Sequence, residues 1–239
     1  MAPSGHPLKD LKEAPTFAAM IPMQVYNTLQ VPEEKAILME IKHLIIGGGA
    51  IDDTLANELK DFPNQVWSTY GMTETLSHIA LRKLNGTDTS DWYTPFDNVR
   101  IRLSEEGTLI IHAPNVCAEE LITNDIAEIN EEGKFRILGR KDNTINSGGV
   151  KIQIEQVESR LKKHLATPFL ISAQKDAKFG EIVVLIYNKV GNETNIRQVC
   201  EDTLPTYWLP KVYIPVDELP MTGTGKPDRA SARRIANGE

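Results

Sequence analysis

Five consecutive residues, Tyr70-Gly71-Met72-Thr73-Glu74, combine side chains that could serve phosphate chemistry. They follow Val66 to Thr69, which is predicted as a buried strand. Tyr70 could stack on a flat base, while Thr73 could donate to a phosphate oxygen and Glu74 could hold Mg²⁺ through oxygen. A strand-to-helix turn, capped by Thr73 and with Glu74 near the helix dipole, would explain the same residues. This stretch alone leaves both interpretations open.

A glycine turn lies earlier in the chain. His43 to Ile46 is predicted as a short strand, and Gly47-Gly48-Gly49-Ala50 follows it before a helix that Asp52 or Asp53 caps. A strand, a glycine turn and a helix resemble half of an α/β unit, where backbone N–H groups can meet a ligand. A tight turn without a ligand is the alternative.

The stretch from Arg136 to Ile152 joins a predicted strand, Phe135 to Leu138, to a polar segment and then to Gly148 and Gly149. Adjacent glycines indicate backbone that bends sharply or lets a ligand approach closely. A long hairpin loop explains them equally. Alternating apolar residues from Val150 to Ile154 predict a strand after the glycines.

Two charged residues stand next to predicted loops. Asp125 precedes a predicted hairpin, and an aspartate at a strand mouth can accept hydrogen bonds from two ribose hydroxyls. An Asx turn is its alternative. Lys226 ends a mobile loop, Leu219 to Lys226, whose threonines and glycines suggest phosphate chemistry. The loop is not a P-loop, because no strand precedes it and its lysine does not enter a helix in that pattern. An exposed tail lysine is the alternative.

Composition is that of an ordinary globular protein. The 239 residues are 41% hydrophobic and 25% charged, which suffices for one large or two modest domains. The sequence contains no run of about 18 apolar residues, so no membrane span is predicted. The N-terminus does not resemble a signal peptide. A net charge of −7 argues against broad nucleic-acid binding. Cys117 and Cys200 are too few for a disulfide framework or a zinc site, so a reducing cytoplasm is expected.

The elements that must position these residues fall into two regions. Residues 1–141 contain strands, helices and β-hairpins, which predict an α/β region. Residues 142–239 alternate short helices and strands, which predict a small α+β domain. The boundary is placed near Asp142. The predicted elements of the second region are an amphipathic helix over Glu155–Leu165, a strand within Phe179–Val190, a helix capped by Thr194, and a strand over Lys211–Val216.

Taken in chain order, four of these motifs resemble the adenylate-forming superfamily of acyl-CoA synthetases, luciferases and peptide-synthetase adenylation domains. Residues 70–74 are similar to its signature, and Asp125 stands where its ribose-binding aspartate would be. Residues 139–149 are similar to its interdomain hinge and following glycine loop. Residues 220–226 resemble its catalytic-lysine loop, with a threonine of that pattern kept at Thr222.

Within the superfamily, residues 19–24, 44–51 and 70–78 are most similar to the o-succinylbenzoate–CoA ligases of menaquinone biosynthesis. One departure is that the Ser/Thr/Gly-rich loop that grips the β- and γ-phosphates is absent. Residues 4–9 resemble only its tail. The resemblance therefore implies that the chain is the C-terminal part of an enzyme and is inactive alone. Residues 1–141 would be the α/β remnant of the family's large domain, and residues 142–239 its small mobile lid domain.

The resemblance implies an acid–thiol ligase that activates a carboxylate as acyl-AMP with ATP and Mg²⁺ and then transfers it to CoA. Lys226, Thr73 and Glu74 would be catalytic, with Glu74 also holding Mg²⁺. The nucleotide would be bound by Ser68, Thr69, Tyr70, Gly71, Met72, Asp125 and Arg140.

The resemblance also implies sites for the other substrates. CoA would pass along Gly148 and Gly149, and Asp142 would be the hinge of the lid domain. The acyl group would lie against Gly48, Gly49, Ala50, Ser77 and His78. Ser77 and His78 are expected one helical turn beyond Glu74, and a core or surface histidine is the alternative for His78.

Other functions stay open at this point. The acid could differ from o-succinylbenzoate, or the chain could load a carrier protein, although no carrier domain follows in this sequence. A nucleotide-binding module without catalysis is the second alternative, which the joint retention of Glu74, Asp125 and Lys226 speaks against. The expected partners are small molecules, without nucleic acid or a membrane span, and a homodimer is one expected assembly.

Overall fold

The computed structural model describes residues 5–51, 53–223 and 226–239. This part of the chain divides into two compact units. The first consists of the residues up to Thr123 together with Ala127–Ile137, and the second of Asn124–Ile126 together with Leu138–Glu239. The domain boundary near Asp142 stays a prediction. Within the described residues, no helix combines the length and the apolar character that crossing a membrane requires.

The first unit begins with alternating strands and helices. In chain order these are β1 (Phe17–Met20), α1 (Pro22–Leu29), α2 (Pro32–Glu40), β2 (His43–Ile46), α3 (Asp53–Leu59) and β3 (Gln65–Gly71). The three strands pair in parallel. Pro22 and Pro32 each occupy the first turn of a helix, where the missing N–H leaves no hydrogen bond unmade. The predicted strands over His43–Ile46 and before Tyr70, and the helix after the glycine turn, are confirmed, while the expected cap Asp52 lies outside the described residues.

The same sheet continues with antiparallel strands. β4 (His78–Lys83) pairs with β3, and β5 (Thr94–Pro95) pairs with β4, which gives the strand order β1-β2-β3-β4-β5. Buried residues of α1, α2 and α3 form one core with β2 and β3, including Leu38, Leu44 and Val66. The sheet thereby brings the end of β2 and the end of β3 to neighbouring positions, with Ile46 opposite Ser68.

A second sheet has the strand order β6-β7-β8-β9. Its strands are β6 (Arg100–Leu103), β7 (Thr108–His112), β8 (Leu121–Ile129) and β9 (Phe135–Arg140). Both predicted hairpins are present. The predicted position of Asp125 at a strand mouth is wrong, because β8 begins at Leu121 and Asp125 lies inside it. Leu121 and Thr123, which precede Asp125, already belong to β8. The Thr123 hydroxyl donates to the carbonyl oxygen of Leu109 in β7 at 2.8 Å.

The second unit folds around a further sheet with the order β11-β10-β13-β12, to which β14 adds in parallel beside β13. Buried residues of α4 and α5 pack with this sheet in one core, and those of α6 belong to another. The elements are β10 (Thr144–Ser147), β11 (Val150–Gln153), α4 (Ile154–Lys162), β12 (Phe169–Asp176), β13 (Gly180–Asn188), α5 (Glu193–Thr203), β14 (Val212–Val216) and α6 (Arg229–Ala236).

Two local predictions in this unit are corrected. Thr194 does not cap α5, because Asn192 is the N-cap and its side-chain oxygen accepts from the backbone N–H of Asn195. The polar segment before Gly148 is not an irregular loop, because residues 144–147 form β10 opposite β11. Of the four residues of β10, only Ile145 is buried in the core, which explains why the sequence of this strand looks polar. The terminal helix α6 has Asp228 as its N-cap and begins at Arg229.

Candidate active site

Thr73 and Glu74 lie exposed on a 3₁₀ turn, Thr73–Thr75, which connects β3 to β4. Gly71 makes this connection sterically possible. A side chain at that position would place its Cβ only 2.3 Å from the carbonyl oxygen of Ser77. The ladder between β3 and β4 is also irregular at Tyr70 and Gly71. The chain therefore needs a glycine here to reverse direction directly behind the exposed carboxylate.

Thr75 fixes the turn from inside. Its side chain is buried, and its hydroxyl oxygen accepts from the backbone N–H of Met72 at 3.0 Å. The same hydroxyl donates to the carbonyl oxygen of Ser77 at 2.7 Å. These bonds hold the backbone of the turn in one shape, so that Thr73 and Glu74 project from a rigid support. Sequence reasoning missed Thr75, although a threonine two positions after a candidate cap is typical of such local backbone bonding.

The expected helical turn beyond Glu74 is wrong. Leu76 has a φ of 59°, which ends the 3₁₀ turn, and His78 begins β4. Ser77 and His78 nevertheless stay close to each other, with 3.1 Å between the Ser77 hydroxyl oxygen and His78 Nδ1. The His78 ring is half-buried and meets Phe96 edge-on at 5.6 Å between ring centroids. The two side chains thus lie at the start of β4.

The Tyr70 side chain packs in an aromatic cluster with Tyr93 and Phe135. Its ring meets Phe135 edge-on, with centroids 5.0 Å apart, and is tilted against Tyr93 at 5.8 Å. Phe135 is fully buried, and Tyr93 exchanges two backbone hydrogen bonds with it, of 2.7 and 3.0 Å. The buried Ser68 hydroxyl lies 2.8 Å from the Tyr93 hydroxyl. The side chain of Ser68 therefore supports this cluster, and the half-buried Tyr70 ring is held in a fixed orientation.

The glycine turn after β2 lies against β3. A Cβ at Gly47 would approach the Thr69 hydroxyl oxygen to 2.3 Å, so that a glycine is needed where the turn crosses β3. Gly48 has a φ of 74°, a left-handed conformation that favours glycine. Gly48, Gly49 and Ala50 thus begin beside Thr69. Sequence reasoning included Gly47 in the turn but assigned it no role, because the constraint comes from the neighbouring strand.

Asp125, Arg140 and Asp142 form an ion-pair network in the second unit. One guanidinium nitrogen of Arg140 lies 3.2 Å from Asp125, and another lies 2.9 Å from Asp142. The hydrogen bond with Asp142 raises the pKa of Arg140 above its ordinary value, and the charges of Asp125, Asp142 and Glu155 add to that effect against the opposing influence of burial. The structure therefore brings together the two residues expected at a ribose and the residue expected as the hinge.

Gly148 and Gly149 form the turn between β10 and β11. Their φ angles are 59° and 87°, the left-handed conformations of a tight hairpin turn. The Gly148 N–H donates to the carbonyl oxygen of Phe179 at 2.8 Å, and a Cβ at Gly148 would lie 3.2 Å from the Phe179 ring. A Cβ at Gly149 would meet no atom within 4 Å. Gly149 therefore leaves open space at the tip of the turn.

Lys226 is exposed and follows Thr224 and Gly225, which lie outside the described residues. Backbone and side-chain bonds close the loop around it. The Thr222 N–H donates to the carbonyl oxygen of Lys226 at 2.7 Å, and the Lys226 N–H donates to the Thr222 hydroxyl oxygen at 3.1 Å. The Asp228 N–H donates to the carbonyl oxygen of Pro220 at 2.9 Å. The loop thus leads directly into α6.

The residues fit a magnesium ion that arrives with a nucleotide. Within the described residues, no group of three or more His, Cys, Asp or Glu side chains is arranged to hold a metal. Mg²⁺ is often bound by one or two carboxylates together with substrate phosphates rather than by a cage of protein ligands. The exposed Glu74 carboxylate fits this mode, and the neighbouring exposed Thr73 carries a hydroxyl that can donate to a phosphate oxygen.

The fold and these motifs correspond to a known class of protein. The chain belongs to the family of AMP-binding enzymes, which matches residues 2–122. It is similar to the 2-succinylbenzoate–CoA ligase of Listeria monocytogenes, with 24% identity over 214 residues that cover 79% of this chain and 45% of that ligase. The predicted resemblance to adenylate-forming ligases, and to o-succinylbenzoate–CoA ligases among them, is confirmed.

Solved structures show the same fold. An AMP-forming acyl-CoA synthetase/AMP-acid ligase II-like protein from Dyadobacter fermentans is 31% identical, with a TM-score of 0.57 over 96% of this chain and 68% of that one. The o-succinylbenzoate–CoA synthetase of Bacillus subtilis, in complex with its acyl-adenylate intermediate, is 23% identical, with a TM-score of 0.72 over 90% and 50%. The predicted mixed α/β fold with a small C-terminal domain is confirmed. The chain spans about half the length of the curated relatives it matches.

Proposed function

We propose that this chain supplies the C-terminal part of an ATP-dependent, AMP-forming acid–CoA ligase whose acid is o-succinylbenzoate. The observation that carries the proposal is the exposed Thr73–Glu74 turn, which Gly71 and Thr75 hold rigid in a member of the AMP-binding enzyme family. The names of the curated relatives support the choice of acid.

In the first step, a carboxylate oxygen of the acid attacks the α-phosphorus of ATP. The new O–P bond forms as the bond between the α-phosphorus and the oxygen that bridges to the β-phosphate breaks, and pyrophosphate leaves. Transfers at phosphorus depend on positioning and on stabilising charge rather than on covalent chemistry by the protein. Thr73 donates to the α-phosphate, and Lys226 places a positive charge against oxygens that become more negative. Glu74 would hold Mg²⁺, which would neutralise charge on the phosphates.

Several residues are assigned to the nucleotide. Tyr70 stacks on the adenine, and the backbone at Ser68, Thr69, Gly71 and Met72 lies beside it. Asp125 accepts hydrogen bonds from the ribose hydroxyls, with Arg140 as a further donor. The 3.2 Å contact between Arg140 and Asp125 supports this pairing, because it fixes the carboxylate that must receive two hydroxyl groups.

In the second step, the CoA thiolate attacks the acyl carbon of the acyl-adenylate. A C–S bond forms, the C–O bond to the phosphate breaks, and AMP leaves. The open tip at Gly149 supports a path for the narrow pantetheine arm, since a Cβ there would project into free space. We assign Gly148 to the same path through its fixed place against Phe179.

The acid is recognised by residues of the first unit. Gly48, Gly49 and Ala50 form a wall without bulky side chains, and Ser77 and His78 supply polar groups for the second carboxylate of o-succinylbenzoate. The 3.1 Å contact between the Ser77 hydroxyl oxygen and His78 Nδ1 supports a joint role of the two residues. Half-burial of the His78 ring against Phe96 fixes its direction.

The sequence contains no Ser/Thr/Gly-rich segment of the kind that grips β- and γ-phosphates. We therefore propose that adenylation needs these residues joined to the preceding part of the family's fold, an assembly called the intact ligase below. The 239 residues alone are expected to release pyrophosphate from ATP at the background rate. Sustained turnover by the purified chain would contradict this.

The test of the proposed function is acid-dependent exchange of labelled pyrophosphate into ATP by the intact ligase, followed by assay of the thioester. Benzoate and succinate serve as controls, because each holds one half of o-succinylbenzoate. Exchange and CoA thioester formation with o-succinylbenzoate but not with the controls would support the proposal. Adenylation of a different acid would overturn the choice of substrate, and transfer to a carrier protein in place of CoA would overturn the acceptor.

A further inference from the structure

A buried ion pair joins three elements of the second unit directly behind the Lys226 loop. Arg229, the first residue of α6, contacts Glu158 of α4 through both ends of its guanidinium, with 2.7 Å between each nitrogen and its carboxylate oxygen. Glu158 is only 6% exposed. Paired, parallel hydrogen bonds of this kind fix the geometry of both partners as well as their distance.

The pair also holds the backbone of β12. The Ile171 N–H donates to Glu158 Oε1 at 2.9 Å, and Arg229 Nη1 donates to the Ile171 carbonyl oxygen at 3.2 Å. Burial alone would lower the pKa of Arg229, but its hydrogen bonds to Glu158 and the charges of Glu158 and Glu155 outweigh burial and raise that pKa. The guanidinium therefore stays charged and bound at one point of the sheet.

The rest of α6 offers little to fix its N-terminal end. The helix covers Arg229–Ala236, and its buried apolar residues are the alanines Ala232 and Ala236, whose side chains bury little area. A further ion pair joins Arg233 to Glu181 one turn later. Half-buried Ile235 packs near the other end of the helix, so that within the first turn Arg229 makes the polar contacts with α4 and β12.

The first turn of α6 is also the base of the Lys226 loop. Asp228 caps the helix by accepting from the Ser231 N–H at 3.0 Å, and its own N–H returns to Pro220. Only Pro227 and Asp228 separate Lys226 from Arg229, so that a shift of the helix start moves the lysine backbone with it. We propose that Glu158 and Arg229 are positioning residues, which hold the start of α6 on β12 and so set where the Lys226 ammonium acts during adenylation.

This inference rests on the proposed function, and a double-mutant cycle in the intact ligase tests it. Four proteins are compared: wild type, Arg229→Lys, Lys226→Ala and the double variant. Lysine keeps the charge of Arg229 but cannot make the forked contact. Single-turnover rates are measured for adenylation of o-succinylbenzoate and, separately, for thioester formation from supplied acyl-adenylate.

Arg229→Lys is expected to slow adenylation about tenfold to a hundredfold, because displacement of a catalytic group by about 1 Å has effects of that size. The KM for ATP and the thioester step should change little. In the Lys226→Ala background the same substitution should have no further effect, because its action passes through the lysine. Equal losses in both half-reactions, or an undiminished loss in that background, would overturn the inference.

A second substitution distinguishes the proposed role from a folding defect of the Arg229→Lys variant. Glu158→Gln keeps the shape of the side chain and is expected to give the same selective, non-additive loss of adenylation. Arg233→Lys is the matched control, since it alters another arginine ion pair of α6, and it should leave both half-reactions unchanged. Wild-type adenylation by Glu158→Gln would overturn the inference. If Lys226→Ala adenylates at the wild-type rate, the proposed function fails and the inference with it; if only Arg229→Lys and Glu158→Gln do so, the inference alone fails.

Discussion

At the scale of single residues, Glu74 is an exposed carboxylate on a turn whose backbone is fixed by Thr75. In the intact ligase, Glu74→Gln should raise the Mg²⁺ concentration for half-maximal adenylation about tenfold or more, since even groups behind a metal ligand typically contribute about 10–100-fold to affinity. A magnesium titration of pyrophosphate exchange measures this. Glu105→Gln, which changes another exposed carboxylate of the first unit, is the control, and identical titration curves for both variants would contradict the role of Glu74.

Lys226 allows a second prediction at this scale. Lys226→Ala should slow adenylation by about 3–4 kcal/mol in activation free energy, the magnitude typical of a group aimed at transition-state charge. Thioester formation from supplied acyl-adenylate should be much less affected. Lys189→Ala removes another exposed lysine of the same unit, which pairs with Asp217, and should leave both rates unchanged. Equal losses in both half-reactions would argue against the proposed role.

The sequence allowed prediction of residues whose chemistry is evident from their type. The resemblance assigned Asp125 and Arg140 to one ribose, and the structure brings them together. Thr75 and Gly47 could not be predicted in the same way. Their contributions depend on a carbonyl oxygen at Ser77 and on a hydroxyl at Thr69, which the folding of β2, β3 and β4 places beside them.

At the scale of elements, the turn between β10 and β11 can be tested with a matched pair of glycines. Gly149 and Gly133 have φ angles of 87° and 74°, and a Cβ at either would meet no atom within 4 Å. An alanine at either position should therefore lower the free energy of unfolding by about 1–2 kcal/mol through backbone strain. In the intact ligase, only Gly149→Ala should also slow thioester formation, because its methyl group enters the proposed CoA path.

Thermal denaturation and single-turnover thioester formation measure the two effects separately. Adenylation should be unchanged in both variants, since neither glycine is assigned to that step. A slower thioester step in Gly133→Ala as well would mean that lost stability explains the effect. An unchanged thioester step in Gly149→Ala would remove the proposed path from this turn.

Secondary structure was predictable where apolar patterns were long or glycines marked a turn. The sequence did not predict β12, because its apolar run is short and contains Ser172, which the fold buries. It also placed Ser77 and His78 on a helix, since Thr73 and Glu74 are typical of a helix start. The left-handed conformation of Leu76 ends the turn, and leucine gives no signal for such a conformation.

At the scale of the whole molecule, we propose that residues 143–239 rotate about Asp142 between the half-reactions, because Lys226 and Gly149 are assigned to different steps. Asp142 lies in a 3₁₀ turn, Lys141–Asn143, and the φ typical of such a turn, about −50 to −70°, is one that proline adopts. Asp142→Pro should keep adenylation near normal. A backbone conformation that proline does not fit costs about 3 kcal/mol or more. If CoA transfer needs such a conformation at residue 142, the proline variant should carry out that step about a hundredfold more slowly.

Asp142→Ala is the control for that substitution. It removes the same carboxylate and its 2.9 Å contact with Arg140 but leaves the backbone free to turn. CoA transfer should therefore be slower in the proline variant than in the alanine variant. If Asp142→Pro performs both half-reactions at wild-type rates, the chain pivots elsewhere or not at all.

The central claim, that these residues belong to a ligase that passes through an acyl-adenylate, is tested most directly by following oxygen. The intact ligase is given ATP, CoA and o-succinylbenzoate labelled with ¹⁸O in its carboxylates, and the products are analysed by mass spectrometry. Attack of a carboxylate oxygen on the α-phosphorus predicts one labelled oxygen in AMP for each thioester formed, with unlabelled pyrophosphate. Unlabelled AMP, or label in inorganic phosphate, would contradict the account.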